Sequence, residues 1–133
     1  NINEVALDEL QLRMKGGELI TQSEYDGAYY KKALAVREIL KEEFAEVFNE
    51  AQAILLPTTP KLPHSFDESL TPEEEYAYDA FTVLANLIGI CSGVVPRAEV
   101  ETKRGNTPIG MQLMCKIGDE KTLFNAMKLL ENK

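Results

Sequence analysis

Between Tyr25 and Phe48, apolar side chains fall at Tyr29, Ala33, Val36, Leu40, Phe44 and Val47, in steps of 4, 3, 4, 4 and 3. Those steps keep the side chains on one face of a long α-helix, because about 3.6 residues complete each turn. Lys31, Lys32, Arg37, Glu38, Lys41, Glu42 and Glu43 mostly occupy the other sides. Ser23 suits the N-cap, and Asp26 brings negative charge to the first turn. A stripe of this length is expected to pack on something large.

Shorter elements are readable on either side. Val5 to Lys15 reads as a helix that Gly16-Gly17 should break, since two glycines make continuation costly. Ala53 to Leu56 is an apolar run without polar alternation, as in a strand buried on both faces. Pro57, Pro60 and Pro63 then force an extended loop. Thr71-Pro72-Glu73-Glu74 carries a capping box with proline at the first helical position. The helix it opens should run to about Ile88 and stop at Gly89. Gly93 to Glu101 reads as a strand with Pro96 at its middle or edge, and Lys103 to Asn106 as a turn. Along Pro108 to Lys116, Ile109, Met111, Leu113 and Cys115 alternate with Gly110, Gln112, Met114 and Lys116, a strand pattern. A last helix should start at Gly118 or Asp119 and present Leu123, Phe124, Met127 and Leu130. This order predicts an α/β fold with helices packed on a sheet.

At 133 residues the chain suffices for one domain, and 44% hydrophobic with 27% charged residues is a globular balance. The longest apolar run, Phe81 to Cys91, is interrupted by Thr82, Asn86 and Gly89, which excludes a membrane span. The first residues show no signal peptide, and without an initiator Met the chain is expected to be a processed product or a cut piece. A net charge of −8 repels phosphate and argues against direct nucleic-acid binding, although such a charge also simply keeps a protein in solution. Cys91 and Cys115 are expected to be reduced thiols in apolar surroundings.

Little in the chain could run chemistry alone. His64, the only histidine, lies in the proline-rich loop with no spacing that predicts a nucleophile partner. No cluster has metal-ligand spacing, and no glycine-rich phosphate loop is present, so neither a metal nor a cofactor is expected in this chain. Glu73 to Glu75 fit the ordinary preference of helix N-termini for carboxylates. Asp79 stands out, because it falls mid-helix beside residues placed to face the core, and an unpaired buried charge is expensive. It fits equally a structural ion pair and a grip on a substrate ammonium.

Taken together, the segments resemble the amidase-signature family. Tyr25-Asp26-Gly27-Ala28-Tyr29-Tyr30-Lys31-Lys32-Ala33, with Val36-Arg37 and Phe44, looks like the family's long C-terminal helix. Ile54 to Pro60 resembles its strand and P-T-x-P loop. Tyr78 to Gly89 is similar to the next element, and Gly93-Val94-Val95-Pro96 to the strand after it. Pro108 to Leu113 matches a P-hydrophobic-G-hydrophobic-Q strand, and Asp119 to Leu123 the opening of the last helix. The tyrosine-rich helix makes the chain most similar to the glutamine-using branch of the family, which serves tRNA-dependent amidotransferases. Ile90-Cys91-Ser92 departs from the family's Leu-Pro and small residue, and Arg97 from its usual Cys.

The resemblance implies that residues 1–133 are the C-terminal part of the amidase-signature fold, a mixed sheet covered by helices, forming one unit. It implies amide hydrolysis, of glutamine above all, by a Ser–Ser–Lys triad. Ser23, Ser65, Ser69 and Ser92 lie in no Gly-Ser-Ser-Gly setting, so no catalytic residue is assigned here and this chain alone is expected to be inactive. By resemblance, Asp79 would hold the substrate α-ammonium and Arg13 the substrate carboxylate, a task suited to a bidentate guanidinium. The remaining N-terminal amidase half and the other amidotransferase subunits would be partners. One of those subunits would use ATP and Mg and bind tRNA, which this chain would meet only indirectly. The location would be cytoplasmic, or the mitochondrial matrix in a eukaryote. The same segments also suit a fatty-acid or small-amide amidase, or a non-catalytic interaction module that docks through its long helix.

Overall fold

The computed structural model describes residues 8–21, 27–103 and 105–131. The elements run α1 (Asp8–Thr21), α2 (Ala28–Glu50), β1 (Ala53–Pro57), α3 (Pro72–Tyr78), α4 (Thr82–Ile88), β2 (Cys91–Thr102), β3 (Gly105–Cys115) and α5 (Glu120–Glu131). They divide into two compact units, residues 1–40 and 41–133.

In the first unit, α1 runs straight through Gly16-Gly17, where the sequence predicts a stop. Each glycine costs about 1 kcal/mol against alanine in a helix interior, a penalty the flanking turns can absorb. The last turn is tied from within, because the Thr21 hydroxyl donates to the carbonyls of Gly17 (2.9 Å) and Glu18 (3.1 Å). The expected start at Val5 and the capping residues Ser23 and Asp26 lie outside the described residues. Helix α2 forms where the stripe predicts it, but no residue in it is buried. Tyr29, Val36 and Val47 are exposed, and Leu40 and Phe44 are half-buried. The described residues therefore supply little of the packing surface that the stripe calls for.

The second unit is built on a three-stranded sheet of order β1-β3-β2, antiparallel throughout. Central β3 pairs with both neighbours along its C-terminal half: Leu55 and Gly93 face Leu113, and Ala53 and Cys91 face Cys115. From Gly110 back to Gly105, β3 is paired with β2 alone, which reaches Thr102 opposite Gly105. Among the described residues β1 is therefore an edge strand, and Leu55 is 48% exposed, where the unbroken apolar run suggests burial on both faces. The other edge, β2, accommodates Pro96 through a bulge between Pro96 and Ala98, as a proline without a donor requires.

The predicted alternation of β3 is present, yet Gln112, Leu113, Met114 and Cys115 are all buried, so both faces are covered there. On one face Leu113, Cys115 and Leu123 form the core, packed by Ala53, Cys91, Ala126, Met127 and Leu130. Gly93 admits α5 closely, since a Cβ there would lie 2.6 Å from the Met127 sulfur. Leu123 takes the inward position, and Phe124, one step around the helix, is 58% exposed against expectation. Asp119 caps α5, its carboxylate accepting from the Thr122 N–H at 3.2 Å.

The helix predicted from Thr71 to Ile88 is two helices. Its start is as read: the Thr71 hydroxyl accepts from the Glu74 N–H (3.3 Å), and the Glu74 carboxylate accepts from the Thr71 N–H (3.0 Å). At Asp79 the ladder tightens, with Asp79 N–H donating to Tyr76 O and Ala80 N–H to Ala77 O, three residues back. The chain restarts when Val83 N–H and the Thr82 hydroxyl donate to the Asp79 carbonyl. Gly89 ends α4 in the left-handed conformation (φ 75°), its N–H donating to Ala85 O.

Candidate functional site

The break at Asp79 to Phe81 is the structural centre of the candidate site. Asp79 is the C-cap of α3 (φ −85°, ψ −2°) and is exposed, not a mid-helix residue beside the core. Its backbone ends one helix and begins the next, so the residue stands at a corner of the chain. Tyr78, just before it, donates its hydroxyl to Leu62 O at 3.0 Å. The Tyr78 ring also meets His64, with ring centroids 5.5 Å apart. His64 thus sits against an aromatic ring in the proline-rich loop.

Phe81, just after the corner, offers its carbonyl to the side-chain N–H of Gln112 at 3.5 Å. This ties the break to central β3. Gln112 is 1% exposed, and its Oε1 has no hydrogen-bond partner among the described residues. The same is true of the Thr58 hydroxyl, which lies against Gly110 two residues along β3. The Thr58 N–H donates to Gly110 O at 3.0 Å, so the loop after β1 is pinned to the sheet there. Beside this pin, Pro57, Thr59, Pro60, Leu62, Pro108 and Ile109 help line a cleft of about 270 Å3. In the sequence Gln112 and Thr58 are motif positions without a role of their own. A glutamine in strand alternation looks solvent-facing until the element covering it is known.

Arg13 lies on α1 in the first unit and is exposed, whereas Asp79 belongs to the second unit. Ser65, Ser69 and Ser92 are distributed over a loop and a strand start. Cys115 is buried, and burial pushes its thiol pKa up, with Asp119 and Cys91 adding in the same direction. Among the described residues, no three His, Cys, Asp or Glu side chains are grouped to hold a metal ion, and no helix is long and apolar enough to cross a membrane.

Comparison with known proteins places these features in a family. The chain is 39% identical over 132 residues to the A subunit of glutamyl-tRNA(Gln) amidotransferase from Methanobrevibacter smithii, covering 99% of this chain and 28% of that protein. It is 41% identical over 131 residues to the same-named protein from Methanococcus vannielii, covering 98% of this chain and 30% of that protein. The crystal structure of the Thermotoga maritima counterpart superposes with a TM-score of 0.69 at 29% identity, covering 92% of this chain and 27% of that one. The chain thus spans less than a third of the length of these relatives. The model of the Amidase family matches residues 1–124, and the chain belongs to the amidase family.

Proposed function

We propose that this chain is the C-terminal segment of the glutamine-hydrolysing subunit of a tRNA-dependent amidotransferase. The observation that carries this reading is the match of 98–99% of the chain to amidotransferase subunits from two archaea. In this reading the segment completes the sheet and supplies part of the glutamine pocket. Asp79 pairs with the α-ammonium of glutamine, and Arg13 holds its carboxylate. The exposed corner that Asp79 occupies supports the assignment, because two helix ends fix its backbone at the surface of the unit. The Ser–Ser–Lys triad comes from the preceding part of the subunit, so this chain by itself does not hydrolyse amides. The ammonia released passes to a partner subunit, which uses ATP and Mg to amidate Glu-tRNA(Gln) and contacts the tRNA. The complex works in the cytoplasm, or in the mitochondrial matrix of a eukaryote.

The test is Asp79→Ala and Asp79→Asn in the complete subunit, read as glutaminase kinetics. Removing a charge-assisted hydrogen bond costs about 1.5–3 kcal/mol, so KM for glutamine should rise roughly 10- to 150-fold in Asp79→Ala. A glutamine KM unchanged in both variants would sink the pocket role.

A further inference from the structure

The two cysteines occupy directly opposed positions on adjacent strands, Cys91 on β2 being the partner of Cys115 on β3. Opposed residues in an antiparallel ladder project from the same face, with Cα atoms about 4.5–5.5 Å apart. A disulfide needs a Cα separation of about 4.4–6.8 Å, which the ladder provides, and Cβ atoms about 3.5–4.5 Å apart, so closure draws the two Cβ atoms together from the ladder's usual 4.5–5.5 Å. Both side chains belong to the core over which α5 packs: Cys115 is fully buried with Leu113 and Leu123, and Cys91 packs against that cluster. The sulfurs differ in access. Cys91 is only partly buried, and its thiol faces two acceptors, Lys116 O at 3.3 Å just past the end of β3 and the Glu120 carboxylate at 3.5 Å. Neither cysteine has a part in the glutamine reaction proposed above.

We propose that Cys91 and Cys115 form a thiol-oxidation site that closes to an intrachain disulfide when a small-molecule disulfide of the glutathione type reaches Cys91. The Cys91 thiol loses its proton to solvent, and the thiolate attacks one sulfur of the small disulfide. That sulfur–sulfur bond breaks and releases one small thiolate. Cys115 then loses its proton and attacks Sγ of Cys91, breaking the mixed disulfide and expelling the second small thiolate. The two expelled thiolates take up the two protons. In sum, two cysteine sulfurs are oxidised by two electrons and one small disulfide is reduced to two thiols. Partial exposure makes Cys91 the entry point, and its position opposite Cys91 on the ladder makes Cys115 the second thiol. The closed bridge fastens the start of β2, just after α4, to the end of β3, just before α5.

The complete subunit, native and reduced, is incubated with glutathione disulfide, alkylated, digested and examined by mass spectrometry without reduction. The expected product is a linked peptide pair containing Cys91 and Cys115, two hydrogens lighter than the separate peptides and lost on adding dithiothreitol. Cys115→Ser should instead accumulate glutathione on Cys91, and Cys91→Ser should leave Cys115 free of adduct. If Cys115→Ser does not fold, Cys115→Ala gives the same reading. Two free thiols after oxidation, or glutathione persisting on Cys91 of the native protein without a bridge, would overturn the proposal. So would a bridge that forms only after urea unfolding.

Discussion

Replacing Gly110 by alanine should destabilise the sheet, by an amount that the neighbouring atoms set. A Cβ at this position would lie 2.8 Å from the Thr58 hydroxyl, 3.0 Å from Val94 Cγ1 and 3.6 Å from Thr58 Cβ. Both neighbours are β-branched and have few alternative rotamers. Thr58 is also held by its backbone bond to the Gly110 carbonyl. Neither can yield by a simple rotation, so overpacking should cost about 1–3 kcal/mol. Restricting the unfolded chain returns about 0.4–1 kcal/mol, which leaves a net loss of up to about 2.6 kcal/mol, centred near 1.3 kcal/mol. Gly93→Ala provides the contrast, because the atoms it meets are the end of the flexible Met127 thioether. Its loss should stay below about 1 kcal/mol. Thr58→Ala removes the nearest obstacle together with a hydroxyl that has no hydrogen-bond partner among the described residues. The double variant Gly110→Ala/Thr58→Ala should therefore regain about half of the Gly110→Ala loss. Urea midpoints of the complete subunit, followed by circular dichroism with the slope checked for constancy, measure all four variants. Gly110→Ala at or above parental stability would refute the packing argument, as would a double variant no better than Gly110→Ala.

Two further outcomes follow from the same structure. Gly16→Ala and Gly17→Ala should each stabilise by about 0.5–1 kcal/mol, since both glycines are helical and a Cβ at either meets nothing within 4 Å; a lowered urea midpoint in either variant would contradict the helix through residues 16 and 17. The raised pKa of Cys115 means that the folded chain keeps a proton which the unfolded chain releases at alkaline pH. Its contribution to stability is complete below the ordinary thiol pKa of about 8.5 and is lost as pH rises through the folded value. Under reducing conditions the urea midpoint should fall above that pH, and Cys115→Ala should flatten the fall.

The parts of the fold visible in the sequence are those that local chemistry decides. The Thr71–Glu74 capping box, the Gly89 stop and the start of the last helix near Asp119 each involve residues within a turn of one another, and all three form. The division of the Thr71–Ile88 helix is invisible there, because Phe81 is tied to Gln112, 31 residues away. Nor can the run Ala53 to Leu56 announce an edge strand, since an apolar run does not say how many neighbours a strand will have. The helical stripe from Tyr29 to Val47 shows in its period alone, and the period does not name what covers it. Asp79 draws notice for its charge near apolar residues, but its place at a helix corner comes only with the structure. Arg13 has no physical signal of its own and enters by resemblance. Gln112 and Thr58 show themselves only when buried atoms are matched with partners.

The register of β3 also carries an order of assembly. Two residues separate β2 from β3, whereas pairing Pro57 with Met111 closes a loop of roughly fifty residues. Each doubling of loop length adds about 0.6 kcal/mol of closure entropy, so β1 docks at a handicap of roughly 3 kcal/mol against β2. The nascent chain should therefore zip β2 to β3 first, and β1 should join an existing ladder late on the pathway. Truncating Leu55 in β1 should then speed unfolding and leave the refolding rate nearly unchanged, whereas truncating Val95 should slow refolding. A Leu55 variant that refolds as slowly as the Val95 variant would reverse that order.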